Sequence, residues 1–503
     1  MKPNILLITT DQHHYSAVGY MNNILKTPNI DRIANEGMCF ERAYCPNPTC
    51  TPTRASIITG KYPSQHGAWS LGTKLPETEP TIGNYLKKAG YSTALVGKAH
   101  FQPLHSTEEY SSIESYPLLQ DLDYWRGFYG PFYGFDHIEL ARNHTNEANV
   151  GQHYAAWMED NGLTNWKDYF SVPTGNMPRQ KNPIGCWDIP EEFHCNTWIA
   201  ERSNALLDKY KDNDEPFLLW ASFFDPHYPH IVPSPWDKMY SPDDITLPKT
   251  YPDEHDHNPP YFKKALEKNP DFSEYRETGM FIHGLQSNIF DEMEMKHQTA
   301  VYYGMVSFMD KYIGKILDKL DELGLTDNTL VIFTTDHGDF LGHHGLRYKC
   351  VYHYEDLLRI PMAVRYPKVI PSGVRSDSLQ SLVDYSPTVL SFCGLDIPRD
   401  MTGVNQKDVW TGQVDHLRKN VIIENRHEPT TMNMRTYVDH RYKLTVHCGR
   451  EYGEMYDLEN DPGEFNNLWD DPGYKDLKVE LLLKYTAAEL EKEPMWMPRI
   501  FHA

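Results

Sequence analysis

The sequence predicts an α/β fold, with a large, mostly parallel central sheet flanked by helices over residues 1–385 and a smaller α+β domain over 386–503. Three observations carry this. Four short runs are almost continuously apolar, as strands covered on both faces are. Segments with helical start and stop signals lie between them. After about residue 385 the pattern turns to short strands joined by turns and closed by one helix. At 503 residues the chain can bury a large core and has room for two or three domains.

The four apolar runs are Asn4 to Thr10, Ser92 to Val96, Phe217 to Phe224 and Thr329 to Thr335. Thr27 and Pro28 open a helix, a cap residue with Pro at the first position, and Gly37 ends it. Thr81 to Ala89 reads as another helix, stopped by Gly90. The longest runs from about His297 to Leu323, where Met305, Met309, Ile313, Ile316 and Leu320 recur every three or four residues and Gly324 is the stop. Residues 101–200 are rich in aromatics, among them Tyr124, Trp125, Phe128, Tyr129, Phe132, Tyr133 and Phe135. Aromatic burial favours an ordered excursion packed on the main domain over a wall of a substrate site. Residues 241–295, rich in Pro, Asp, Glu and His, read as a long surface insertion. Arg435 to Val446 and Glu454 to Leu458 read as strands, and Tyr474 to Glu491 as a helix.

Lys plus Arg number 48 against 70 Asp plus Glu, a formal charge of −22. Such a surface repels nucleic acid and anionic membrane, and neither is expected as a partner. No stretch approaches the roughly 18 apolar residues of a membrane span, and Ile5-Leu6-Leu7-Ile8 is too short for the core of an export signal. Cysteines 39, 45, 50, 186, 195, 350, 393 and 448 form no CxxC pair. Both facts lead us to expect reduced thiols and a cytoplasmic protein. An anionic substrate would then need a local cluster of Lys, Arg, His and metal.

Such a cluster is legible at the strand ends. Asp11 follows the first apolar run, Lys98 and His100 the second, Asp225 and His227 the third, Asp336 and His337 the fourth. Singly, each is explained by turn chemistry. Four together at one sheet edge point to a hard-cation site, because ligands of doubly wound sheets bind beyond the carboxyl ends of the strands. The segment Cys50-Thr51-Pro52-Thr53-Arg54, running on to Thr59-Gly60, supplies the anion side. Pro52 suits a helix start, so Cys50 lies where unpaired N–H groups favour an anion and lower a thiol pKa. Arg54, one turn in, offers a fork for a tetrahedral oxyanion.

Cys50 to Gly60 closely resembles the signature of the sulfatases, the formylglycine-dependent branch of the alkaline phosphatase superfamily. The likeness extends over Pro3 to Asp11, Thr27 to Gly37, Gly97-Lys98-Ala99-His100, Pro226-His227, Gly324 to Gly338, Lys349 and Met455 to Glu464. The resemblance implies an alkaline phosphatase-like fold and hydrolysis of a small-molecule or saccharide sulfate ester. It implies that a maturase converts Cys50 to formylglycine, whose hydrated aldehyde attacks sulfur with one hydroxyl and expels sulfate with the help of the other. Asp11, Asp336, His337 and the Cys50-derived oxygen would bind one divalent cation. Arg54 would hold the diol and His100 would accept the proton in the breakdown step. Lys98 and Lys349 would bind sulfate oxygens, while His227 or Lys349 would protonate the leaving alcohol. Gln12 and His337 depart from the commoner second Asp and Asn, and resemble instead the branch of phosphonate monoester hydrolases and choline sulfatase. A phosphonate monoester or phosphodiester is therefore the rival substrate, and Mn²⁺ rivals Ca²⁺ as the metal. The leaving alcohol is not legible, and oligomeric state stays open, a homo-oligomer included.

Overall fold

Alternate residues of the Asn4–Thr10 strand face two separate cores, as a strand buried on both sides requires. Ile5 and Leu7 pack with the helices Cys50–Thr59, Ile82–Lys88 and Tyr385–Phe392; Leu6 and Ile8 pack with Pro28–Asn35, Cys195–Asn213 and Glu292–Glu322. A computed structural model describes residues 2–142, 150–170, 173–174, 177–178, 184–213, 215–349 and 351–502.

The central sheet has the order Val374–Ser376, Met38–Tyr44, Arg359–Arg365, Thr329–Thr335, Asn4–Thr10, Phe217–Ser222, Ser92–Gly97, His137–Leu140, and Gln380–Ser381 also pairs with Met38–Tyr44. Every pairing is parallel except the two made by Arg359–Arg365. The four strands expected from apolar runs stand side by side in the middle. Thr10 pairs with Thr335, Thr9 with Ser222, and Gly97 with both Ser222 and Leu140, so their carboxyl ends form one level edge.

Some elements differ from expectation. The long helix starts at Glu292, not near His297, because Asp291 caps it by accepting from the N–H groups of Met293 and Glu294. Its first turn mixes Glu292 and Glu294 with Met293 and Met295, of which Met295 is already buried. The described residues of 101–200 pack on the main domain through Trp125, Phe132, Tyr133 and Phe135, but they also supply the edge strand His137–Leu140. The second domain carries a four-stranded antiparallel sheet, Val421–Arg426, Asn433–Val438, Tyr442–His447 and Gly453–Asp457, with the helix Lys475–Glu491. The helix Tyr385–Phe392 is tied to the helix Cys50–Thr59: Ser386 Oγ donates to Ile57 O at 2.6 Å. Seven cysteines are free thiols, and Cys350 lies outside the described residues. Among the described residues no helix is long and apolar enough to cross a membrane.

Candidate active site

Cys50 is the first residue of the Cys50–Thr59 helix, preceded by Thr49 in extended conformation, and Gly60 closes the helix with φ of 67°. All ten residues of this helix are buried, and Cys50 is 1 % exposed. Its Sγ lies 3.2 Å from Lys349 Nζ, 3.3 Å from His337 Nε2 and 3.6 Å from Asp11 Oδ1. Burial and Asp11 push the Cys50 thiol up, but Lys349 and Lys98 outweigh them and hold it below the usual thiol range.

Arg54 binds the strand ends together. Its Nε donates to Asp336 Oδ2 at 2.9 Å, and its Nη1 donates to Ser222 Oγ at 2.7 Å and Lys98 O at 2.9 Å. Lys98 pairs with Asp11 Oδ2. Burial alone would raise the Asp11 pKa, yet Lys98, His227, Lys349 and Arg54 hold it well below the carboxylate range. Lys349 Nζ also lies 2.9 Å from His227 Nε2. His227 Nδ1 is 2.5 Å from Tyr228 O, which can only accept, so Nε2 is left to accept from Lys349. Burial opposes the Lys349 charge, but Cys50, Asp11 and Asp336 raise its pKa and keep it an ammonium. His100 stands at φ of 60°, a conformation that non-glycine residues adopt only under constraint. Glu114 holds it there by accepting from the N–H groups of His100, Phe101 and Gln102 at 2.9, 2.9 and 2.7 Å. Burial, then Arg142 and Lys98, press the His100 pKa well below that of free imidazole, so it is neutral.

The residues suit a cation. Ligand atoms of Asp11, Cys50, Asp336 and His337 all lie within 4.8 Å of one another. His337 Nε2 is 3.8 Å from Asp11 Oδ1 and 3.7 Å from Asp336 Oδ1, close to the spacing of about 3 to 3.5 Å that neighbouring ligands keep around a cation at 2.0 to 2.5 Å. His337 Nδ1 lies 3.0 Å from Gly338 O and therefore carries the proton, which leaves the Nε2 lone pair facing the carboxylates. Burial lowers the His337 pKa, but Asp336 and Cys50 raise it further, so this nitrogen seeks positive charge. Gln12 is turned away, donating from Nε2 to Asp339 Oδ2 at 2.5 Å. The cluster thus has two carboxylates and one imidazole. Asp225 does not join it: buried and pushed up to about 7 by burial, it accepts from Asn196 Nδ2 at 2.7 Å.

The sequence matches the family profile described as "Sulfatase" over residues 3–395. The chain belongs to the sulfatase family. A second profile, "N-sulphoglucosamine sulphohydrolase, C-terminal", matches residues 342–491 of this sulfatase-family chain. It is 29 % identical over 98 % of its length to an arylsulfatase of Clostridium perfringens, of which it covers 95 %. It is 28 % identical over 96 % of its length to an N-acetylglucosamine-6-O-sulfatase of Bacteroides thetaiotaomicron, of which it covers 85 %. Among solved structures, a phosphonate monoester hydrolase from Silicibacter pomeroyi superposes with a TM-score of 0.80 at 22 % identity, over 98 % of this chain and 96 % of that one. The fold of the sulfatase-family chain is therefore alkaline phosphatase-like.

Three polar groups of this sulfatase site escape the sequence reading: Ser222, Glu114 and Arg142. Ser222 and Arg142 follow the same rule as the residues found, each standing at or just after a strand end. Glu114 gives no signal, being one acid in an irregular loop. A second group of His14, His343 and Asp356 could also face a metal. However, His14 Nδ1 accepts from the Ser16 N–H at 3.1 Å, so its proton sits on Nε2 and donates to Asp356 Oδ1 at 3.1 Å. Hydrogen bonds explain that cluster.

Proposed function

We propose that the chain hydrolyses an organic sulfate monoester to an alcohol and sulfate, using formylglycine made from Cys50 beside one divalent cation. The observation that carries this reading is the setting of Cys50 Sγ, at a buried helix start within 3.6 Å of Asp11, His337 and Lys349. A cation held by Asp11, Asp336 and His337 supplies positive charge beside the attacking group and the sulfate. Arg54 orients the nucleophile, as its place one turn inside the helix and its bond to Asp336 allow. Lys98 and Lys349 bind sulfate oxygens. His100, held neutral, takes the proton when the covalent intermediate breaks down. Lys349 donates to His227 as the pair stands, and together they protonate the leaving oxygen. Saccharide and aryl sulfates are the proposed substrates, in keeping with what the two relatives are called.

Gln12, bonded to Asp339, supplies no third carboxylate, and this favours a second reading as a phosphonate monoester or phosphodiester hydrolase. It also makes Mn²⁺ the rival of Ca²⁺. Side-by-side kinetics on an aryl sulfate and an aryl phenylphosphonate, with metal-replete and formylglycine-bearing enzyme, decide between them. The sulfate is expected to have the higher kcat/KM; a clear preference for the phosphonate overturns the first reading. Mass spectrometry of protein made beside a maturase should find an aldehyde at Cys50, and chelation should abolish turnover. Full activity in Cys50→Ala would sink both readings.

A further inference from the structure

Arg142 follows the His137–Leu140 strand, the outermost of the parallel strands, at the edge that carries Asp11, Lys98 and Asp336. Gly97 pairs with Leu140, and the Ala141 N–H donates to Gly97 O at 3.1 Å. Arg142 thus stands level with Lys98 and His100, one strand further out. The Asn4–Thr10 strand is three strand spacings away, about 14 Å at the backbone, so the Arg142 side chain reaches inward from the rim.

That side chain is 4 % exposed, yet its Nη1 has no hydrogen-bond partner among the described residues. Among the described residues the paired carboxylate oxygen, Glu114 Oε1, is 3.7 Å from Nη1, and Glu114 already accepts from the three N–H groups of the His100 loop. A guanidinium has five donors in a rigid fork, and a buried one is normally filled by carboxylate or phosphate. An apolar side chain of the same length would fill this space without the cost of desolvating a charge. Arg142 stands beside the His100 loop, because Glu114 Oε1, 3.7 Å from its Nη1, is the oxygen that accepts from the His100 N–H at 2.9 Å; burial lowers the Arg142 pKa, and Glu114 is the first of the groups that oppose this. The scissile sulfate is served by Lys98 and Lys349, nearer the middle of the sheet.

We propose that Arg142 receives a second oxyanion, a carboxylate or sulfate ester carried by the leaving alcohol, and so selects doubly anionic substrates. This rests on the hydrolase reading above and adds the charge of the leaving group to it. A chain of formal charge −22 repels such a molecule at long range, and a cation set off the reacting centre offsets that repulsion where the second anion docks.

The test compares matched pairs: phenyl sulfate with 4-carboxyphenyl sulfate, and a monosulfated with a disulfated glucosamine. The wild type should favour the doubly anionic member. Arg142→Gln should lower that preference about tenfold to a hundredfold, the range of one charge-assisted contact, chiefly through KM, and Arg142→Lys should keep part of it. Equilibrium binding of the same pairs to Cys50→Ala protein, with and without Arg142→Gln, reads the contact without turnover. If the wild type hydrolyses phosphonates instead, the sulfatase reading fails while the binding ratio still judges Arg142. Equal losses on both members of each pair, or an unchanged ratio, overturn the proposal. A preference confined to one pair identifies carboxylate or sulfate as the second anion.

Discussion

Arg54 is buried completely and gives its Nε to Asp336 and its Nη1 to Ser222 and the Lys98 carbonyl, so one planar group fixes the ends of three strands. A lysine cannot reproduce three directional contacts from one nitrogen. We expect Arg54→Lys to lower kcat/KM by a hundredfold or more and to weaken metal retention, read by kinetics and by metal analysis after dialysis. Lys349→Ala removes one charge-assisted contact of roughly 1.5 to 3 kcal/mol and should cost about tenfold to a hundredfold in kcat/KM. His100 gives a pH prediction. In its proposed role as a base it must be unprotonated, and its pKa lies well below the ordinary value, so activity through it is complete above that value and lost only as pH falls through the depressed pKa. The acid limb of the kcat/KM profile should therefore lie below about pH 6.5, the free-imidazole value. An acid limb at or above that pH which disappears in His100→Ala would contradict the assignment.

Among the elements, the Ser92–Gly97 strand has the least room for change. Gly97 has φ of 107°, and a Cβ there would meet Ser222 O at 2.0 Å. Gly97→Ala should destabilise by about 1 to 3 kcal/mol and lower kcat further by displacing Lys98, with the melting temperature and kcat measured on the same preparation. The central strands are legible because both faces are covered and their residues are almost all apolar. Other strands hide for local reasons. Arg359–Arg365 contains Pro361, which argues against a central strand, and the sheet accommodates it with an irregularity between Ile360 and Met362. His137–Leu140 has four residues and lies in aromatic sequence, so nothing in the sequence marks Arg142 as a strand-end residue. Most of the proposed catalytic side chains follow apolar strands or lie in the distinctive Cys-x-Pro-x-Arg run; Glu114 acts only through a loop whose shape no spacing encodes.

For the whole molecule, the second domain is part of the site's scaffold. Glu424, in its first strand, donates its N–H to Pro46 O at 2.8 Å, and its carbonyl accepts from Asn47 Nδ2 at 2.6 Å, just before Cys50. Lys443 pairs with Glu464, which accepts from the Glu355 N–H at 2.6 Å. Stability should depend on pH through three buried imidazoles, His13, His66 and His153. The last two each accept a backbone N–H on Nδ1, from Ala68 to His66 and from Leu140 to His153, and His13 Nδ1 faces the Thr10 hydroxyl. A second proton therefore has no acceptor on His66 or His153, and burial lowers the pKa to about 4 for His13 and His153 and about 3 for His66. The unfolded chain binds these protons near pH 6.5 and the folded chain does not, so stability is full above that pH and falls as pH drops toward 4. Melting temperature against pH should show this decline, and a flat curve from pH 7 to 4.5 would refute it.

Cys50 is 1 % exposed and all ten residues of its helix are buried. On the proposed conversion of Cys50, a maturing enzyme would have to reach this segment before the helix is buried, so the reaction and the folding of the chain would compete for the same residues in time. Once Ser386 bonds Ile57 O and Glu424 closes over Pro46, that competition is over. On the same proposal, molecules that fold first would keep the Cys50 thiol. The active fraction of a preparation is then set by how fast the chain folds relative to its modification, and maturase added after folding should not raise it.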